Sequence, residues 1–239
     1  MDTQKASLPF IERGLTKIWV RHNAGKIAFA SPSVGPTNYR NAGAQIIKAN
    51  QQVPHGDSTA SLLHAAYCSE ALNEPEFVNV RDIMTNRWLG VFNRNLWNEN
   101  GVYVLQDIDA TGLSKPLRVE ELEARLKGGR ELGFGGIRLS QDGEVRFAPK
   151  GSYRLGEHTS ESFGKDGFII ASCGEEGAKK SGEVSAKFGN PPYIYGVEVK
   201  EGKTPEQRVS AVGEDDLRFR FDGDWGGYDY DGRAFGVLK

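Results

Sequence analysis

The sequence has few cysteines, no long apolar run and no excess of charge of either sign, and each shortage excludes a class of protein. Its two cysteines, Cys68 and Cys173, form no pattern typical of a disulfide framework or a zinc knuckle. No stretch of about 18 apolar residues is present, and the first residues lack the basic and apolar regions of a signal peptide. We therefore expect a soluble, cytoplasmic protein with reduced thiols and no membrane partner.

The charges are nearly balanced, with 30 Lys and Arg residues against 32 Asp and Glu residues and a formal net charge of −2. Such a surface does not attract nucleic acid, which argues against a nucleic-acid partner. Glycine, in contrast, is abundant: 30 of the 239 residues are Gly, nearly twice the usual share of about 7%. This content predicts many turns and short strands.

The first 110 residues show hairpin and helix patterns in turn. Apolar residues three and four positions apart predict helices, and alternation around turn residues predicts hairpins. Asn100-Gly101 is typical of a primed hairpin turn. The predicted hairpins are Lys17–Ala30 and Leu89–Trp97 with Val102–Gln106. Three helices are predicted: one over Thr37–Asn50, one that begins at Asp57 or Ser58, and one over Pro75–Trp88.

A polar stretch, Asp109–Pro116, is the best candidate for a boundary, and it divides the chain into parts 1–110 and 111–239, which can also form one continuous domain. The elements predicted beyond it are a helix over Val119–Lys127, a hairpin of Ile137–Leu139 with Glu144–Phe147, a strand over Phe168–Ser172, a helix over Glu175–Phe188, and strands over Tyr193–Val199 and Arg218–Phe221. We predict an α+β fold with a helix-rich first half, a strand-rich second half and a mostly antiparallel sheet.

The segment Phe221–Gly232, here called the tail segment, differs from the rest of the chain in composition. Its sequence, FDGDWGGYDYDG, consists of four Asp, four Gly and four aromatic residues. Between Ala211 and Gly232, seven carboxylates accompany two arginines, which gives a local net charge of −5. Carboxylates, flat rings and a flexible backbone together suit a ligand surface, a cation site or a solvated turn.

The carboxylates of the tail segment do not match a calcium loop. Asp222 with Asp224, and Asp229 with Asp231, are spaced so that both members of a pair lie on one face of a strand. Counted from Asp222, the twelfth residue is Arg233, where an EF-hand needs a bidentate Glu. A divalent cation is therefore an alternative that the pattern does not favour, and no metal ligand is assigned.

We interpret the tail segment instead as an exposed acidic surface that binds an unidentified protein or polar ligand. The rings would provide contact area, and the carboxylates would select a basic or hydroxyl-rich partner. The predicted partner-binding residues are Asp222, Asp224, Trp225, Tyr228, Asp229, Tyr230 and Asp231.

The segment Ser31–Asn38 lies between a predicted strand and a predicted helix, where free amides and hydroxyls can bind a phosphate or carboxylate. It lacks the Gly-Lys-Ser/Thr ending of a Walker loop. Capping of the following helix by Thr37 explains the same pattern without a ligand. The candidate anion-binding residues are Ser31, Ser33, Gly35 and Thr37.

His158 is the candidate general base, because a Glu and Ser residues stand close to it in sequence. A histidine in a loop is usually solvated, and the members of a triad usually come together from distant parts of the chain. A separate pair, His64 and Cys68, lies one helical turn apart but has no evident third metal ligand.

Cations and aromatic residues interleave between Arg81 and Trp97, a pattern that also serves in single-strand nucleic-acid binding. Acidic residues in the same region dilute the positive charge. Phe92 and Leu96 on one side of the predicted strand, with Val91 and Trp97 on the other, indicate two packed faces rather than a stacking platform.

No motif in the sequence fixes a reaction, so the chain is assigned neither as an enzyme nor as a non-enzyme. The leading interpretation is a binding or interaction module that uses the tail segment. The first alternative is a hydrolase or transferase acting on a phosphorylated or glycosidic substrate through Ser31–Asn38, His158 and an Asp pair on a divalent ion. The second is a single-stranded nucleic-acid binder that uses Arg81–Trp97.

Overall fold

The structure, a computed structural model, describes residues 9–12, 17–132, 135–228 and 230–239. Within these ranges the chain forms fourteen strands, six α-helices and a 3-10 turn at Gly112–Ser114. The helices are α1 (Tyr39–Lys48), α2 (Gly56–Cys68), α3 (Pro75–Asn86), α4 (Val119–Leu126), α5 (Ser160–Phe163) and α6 (Gly167–Ser185). The strands are β1 (Phe10–Glu12), β2 (Lys17–His22), β3 (Gly25–Ala30), β4 (Val34–Thr37), β5 (Trp88–Asn98), β6 (Gly101–Gln106), β7 (Arg130–Leu132), β8 (Ile137–Leu139), β9 (Val145–Pro149), β10 (Gly156–Glu157), β11 (Asn190–Tyr195), β12 (Glu206–Asp215), β13 (Arg218–Trp225) and β14 (Gly232–Ala234).

Eleven of the described strands form one sheet, with the order β10-β11-β13-β12-β5-β6-β9-β8-β7 and with β14 joining β5 and β4. The pairs β11–β13 and β14–β5 are parallel, and the other pairs in this sheet are antiparallel. A second sheet has the order β1-β2-β3. The predicted α+β class with a mostly antiparallel sheet is therefore confirmed. The boundary near residue 110 stays a prediction, and strands from both sides of it lie next to each other in the main sheet.

Both faces of the central strand β5 are covered, as its alternating apolar residues predict. Val91 and Trp97 face the core shared with α2, α3 and α6. On the opposite face, Phe92 packs in a cluster with α1, and Leu96 packs in a cluster with α4. The sheet thus has a thick helical layer on one side and two smaller covers on the other. Among the described residues, no helix is both long enough and apolar enough to cross a membrane.

The predicted strand over Phe168–Ser172 is wrong, because these residues form the first turns of α6. Asp166 caps the helix by accepting hydrogen bonds from the amides of Phe168, at 2.9 Å, and Ile169, at 3.4 Å. The run is buried on every face, so it has no helical periodicity that could distinguish it from a strand. The helix is interrupted at Gly174, whose φ is 71° and ψ 170°.

Strand β12 lies in the centre of the sheet between β5 and β13, yet its sequence pattern does not predict a strand. Several residues of β12 are small, so the strand lacks the alternation of large apolar residues that predicts a strand. Large side chains from neighbouring elements occupy the space next to these small residues. A Cβ atom at Gly213 would lie 3.1 Å from the ring of Trp88. The turn between β5 and β6 is also displaced by one residue from the prediction, since Asn98 pairs with Gly101 and leaves Glu99 and Asn100 as the loop.

Candidate functional site

The tail segment consists of a buried stem and an exposed tip. The stem, Phe221–Trp225, is the second half of β13 and pairs with β12. Trp225 at its end is only 5% exposed and meets the ring of Tyr39 edge to face, with 6.1 Å between centroids. The tip, Gly226–Asp231, carries Tyr228 and Tyr230, which are 73% and 74% exposed. Two of the four aromatic rings of the tail segment therefore face solvent, and Trp225 provides no contact area in this conformation.

The carboxylates of the stem are already engaged. The buried side chain of Asp222 accepts a hydrogen bond from the amide of Asp224 at 2.8 Å, within a bulge of β13. Asp224 itself accepts a hydrogen bond from Arg208 Nε at 2.6 Å. Asp231 is half-buried, and Asp229 lies outside the described residues. Among the residues that the structure describes, no group of three or more His, Cys, Asp or Glu side chains is arranged to hold a metal ion.

The tip borders a groove with a volume of about 570 Å³, here called the tip groove. One wall is the start of α1, the second is the loop Asp109–Ser114, and the third is Gly226–Tyr228. Buried Val209 and Tyr39 also line the groove, and its exposed side chains, apart from Ala44, are polar or aromatic. The groove thus joins three chain segments that are distant in sequence, a geometry typical of binding sites on rigid scaffolds.

Helix α1 is held against the sheet by its buried apolar face, which includes Ala42 and Ile46. The helix also approaches the loop Asp109–Ser114 so closely that a Cβ atom at Gly43 would lie 2.1 Å from the Cβ of Ala110. Asn38 caps the helix by accepting a hydrogen bond from the amide of Asn41 at 2.9 Å. Because the apolar face is fixed, the polar residues of its first turn are directed toward the tip groove.

The loop Asp109–Ser114 is organised by the buried carboxylate of Asp107. Its Oδ1 accepts hydrogen bonds from the amide of Thr111 at 3.1 Å and from its hydroxyl at 2.9 Å. Its Oδ2 accepts from the amide of Gly112 at 2.7 Å and from the hydroxyl of Tyr39 at 3.1 Å. Burial, and then the charge of Asp107, raise the pKa of Tyr39 well above its usual value. Sequence reasoning missed this network, although an Asp followed four residues later by Thr-Gly is a usable turn signal.

The segment Ser31–Asn38 does not form the open loop that the sequence suggested. Val34–Thr37 is strand β4 and pairs with β14, which begins at the last residue of the tail segment. Arg233 donates a hydrogen bond to the hydroxyl of the buried Ser33 at 3.3 Å. Asn38, rather than Thr37, caps α1, so the predicted cap is wrong. The segment meets the end of the tail segment by strand pairing, and an anion-binding role for Ser31, Ser33, Gly35 and Thr37 stays a prediction.

His158 is buried, with 5% exposure, and is not the solvated loop histidine that the sequence suggested. Its Nε2 donates to the carbonyl of Arg154 at 2.8 Å, and its Nδ1 lies 3.3 Å from the hydroxyl of Ser162. Asp166, whose pKa is raised by burial, lies 3.9 Å from Nε2. The depression beside His158 is lined by residues 154, 157–160, 185, 186 and 188–192 and by no residue of the tail segment or of Ser31–Asn38. The components of the enzyme hypothesis therefore do not share a cavity, and the catalytic role of His158 stays a prediction.

The apolar residues of the region Arg81–Trp97 pack in the core clusters, as their pattern predicts. Phe92 and Trp97 are fully buried, and Arg94 is almost fully buried. Arg81 donates hydrogen bonds to the carbonyl of Ala66 in α2, at 2.6 Å, and to the carbonyl of Leu72 in the following turn, at 2.5 Å. The rings of Phe92 and Trp97 are therefore not accessible for stacking by a nucleic-acid base.

Neither protein-family models nor curated protein sequences match this chain. A solved structure described as "Accommodation of massive sequence variation in Nanoarchaeota by the C-type lectin fold" is similar to it, with 14% sequence identity and a TM-score of 0.48. The similarity covers 84% of this chain and 94% of that one. At this level it assigns the chain to no family.

Proposed function

We propose that the protein is a binding module whose recognition surface consists of the tip groove and the rings of Tyr228 and Tyr230. One observation carries this proposal. The two tyrosines, which are the most exposed aromatic side chains of the described residues, lie on a segment fixed at both ends. Trp225 anchors one end in the core, and β14 anchors the other in the sheet.

The chemistry of the surface supports recognition of a protein or another polar ligand. Tyrosine provides a large, rigid and amphipathic contact area at a low cost in side-chain entropy. Small and polar residues beside it supply adaptable hydrogen bonds, a combination typical of paratopes. The polar groove residues of this kind are Asn38, Arg40, Asn41, Thr111 and Ser114.

The acidic character of the tail segment contributes less than its sequence suggests. Asp222 is buried and bonded within the strand, and Asp224 is paired with Arg208. Selection of a basic partner by these carboxylates is therefore weak, since each already has a local partner. We propose that tyrosine contacts and neutral polar groups provide most of the recognition.

Affinity capture from an extract of the source cells tests this function. The full chain is compared with a Tyr228→Ser/Tyr230→Ser variant, and a partner retained by the wild type is then measured against each purified protein. We expect affinity to fall at least about tenfold, since exposed aromatic anchors contribute most of the energy at such interfaces. Equal affinity of the wild type and the double variant would refute the assignment.

Leu217 offers a matched control for this experiment. It is 64% exposed and lies in the turn between β12 and β13, and it does not line the tip groove. Leu217→Ser therefore removes exposed apolar area without changing the proposed surface, and we expect it to retain the partner. The unfolding free energy of the double variant should stay within about 0.5 kcal/mol of the wild type, as is usual for surface substitutions.

A further inference from the structure

We propose that Asp107 is the positioning residue of the tip groove and that Tyr39 extends its effect to the tip. This inference rests on the proposed function, because it names the groups that hold that binding surface in one conformation. The buried carboxylate of Asp107 accepts hydrogen bonds from Tyr39, Thr111 and Gly112. All three donor residues line the groove, and Asp107 itself does not.

Asp107 fixes the shape of the loop wall. The loop contains little regular structure, and two of its residues, Ala110 and Gly112, have φ values of 51° and 54°. Three of the hydrogen bonds to Asp107 come from Thr111 and Gly112. An ionised carboxylate is costly to bury without donors, so the loop conformation that supplies these donors is strongly favoured.

Tyr39 connects this wall to the tip. Its hydroxyl donates to Asp107, and its backbone amide donates to the carbonyl of Gly227 at 3.2 Å. Its ring packs against those of Phe92 and Trp225, with centroid distances of 4.5 and 6.1 Å. One residue therefore contacts the loop wall through its side chain and the tip through its backbone. If the hydrogen bonds that hold the loop are lost, we therefore expect the backbone hydrogen bond between Tyr39 and the tip to weaken as well.

The chain contains a second pair with the same chemistry. The hydroxyl of Tyr103 donates to Glu123 at 2.6 Å, and the ring packs in the cluster beneath α4. Neither residue lines the tip groove. Tyr103→Phe is therefore a matched control for Tyr39→Phe, since each substitution removes one tyrosine–carboxylate hydrogen bond.

Amide hydrogen exchange, measured by NMR on the ligand-free full chain, tests the inference. The variants are Asp107→Asn, which turns one acceptor oxygen into a donor, Tyr39→Phe and the control Tyr103→Phe. We expect exchange at the amides of residues 39, 111 and 112 to accelerate by about tenfold or more in the first two variants, the change that loss of a hydrogen bond to a charged group produces. In Tyr103→Phe these amides should stay within about twofold of the wild type.

Two results would overturn the inference. Acceleration at residues 111 and 112 with an unchanged rate at residue 39 would show that Tyr39 does not connect the loop to the tip. Equal acceleration in Tyr103→Phe would show a general loss of stability rather than positioning. If Asp107→Asn does not fold, Tyr39→Phe against its control decides the question by itself. Because no ligand is present, the result is independent of the capture experiment, so failure of one is distinguishable from failure of the other.

Discussion

The stem and the tip of the tail segment are adjacent in sequence and similar in composition, yet they have opposite environments. In the stem, Trp225 is part of the core and Asp222 is bonded inside a strand bulge. In the tip, Tyr228 and Tyr230 face solvent. Aromatic residues therefore stabilise the fold on one side of Gly226-Gly227 and face solvent on the other. The comparison shows that composition alone does not identify a recognition surface.

The largest expected effect separates the stem from the tip directly. Trp225→Ala should lower the free energy of unfolding by about 3–5 kcal/mol, because it removes a large buried side chain and leaves a cavity. Urea denaturation followed by circular dichroism measures the change. A loss below about 1 kcal/mol would contradict the assignment of Trp225 to the core and would make stem and tip alike.

The stability of the stem at alkaline pH depends on Tyr39, whose ring packs against Trp225. Its pKa is raised in the folded state, first by burial and then by Asp107. The folded state therefore keeps the proton while an unfolded tyrosine loses it above about pH 10, so stability is fully present below pH 10 and falls above it. The loss reaches about 1.4 kcal/mol at pH 11 for one such group. Between pH 9 and pH 11 we expect the unfolding free energy of Tyr39→Phe to fall by about 1.4 kcal/mol less than that of the wild type. An equal fall in both proteins would contradict the raised pKa of Tyr39.

The smallest expected difference, that between two glycine variants, concerns the junction between stem and tip. Gly227 has a φ of 67°, and a Cβ atom there would lie 3.0 Å from Val209 and 3.2 Å from Tyr39. Gly202 has a φ of 71° with nothing within 4 Å of such an atom. Both substitutions to Ala should cost about 1 kcal/mol from the backbone conformation. Gly227→Ala should cost about 1 kcal/mol more because of crowding; equal melting temperatures for the two variants would show that the junction tolerates the extra atom.

The sequence predicts local structure well where the pattern is periodic and the neighbours impose no exception. The hairpin of β2 and β3, the helices α1 to α4 and the α+β class agree with the spacing of apolar residues. Prediction fails at the start of α6, where all faces are buried, and at β12, whose small residues have little local preference. In both cases tertiary contacts outweigh local propensity.

The candidate site could be predicted only in part. The exposed rings of Tyr228 and Tyr230 lie in the segment that composition singles out, and their role in binding stays a prediction. The groove beside them could not be predicted, since its walls come from α1, the loop Asp109–Ser114 and the tip. The spacing of Asp107 from Thr111-Gly112 signals a turn, but it does not show that the carboxylate is buried or that Tyr39, 68 residues away, donates to it.

The sequence by itself determined the fold class, most helices and hairpins, and the unusual composition of the tail segment, because these depend on residue type and short-range spacing. The tertiary structure decided which residues of that segment are buried. The period of a strand shows that neighbouring side chains face opposite sides, but it does not show which side is covered. Here α1 covers the stem, β14 fixes the far end, and the tip alone is left with its tyrosines in solvent.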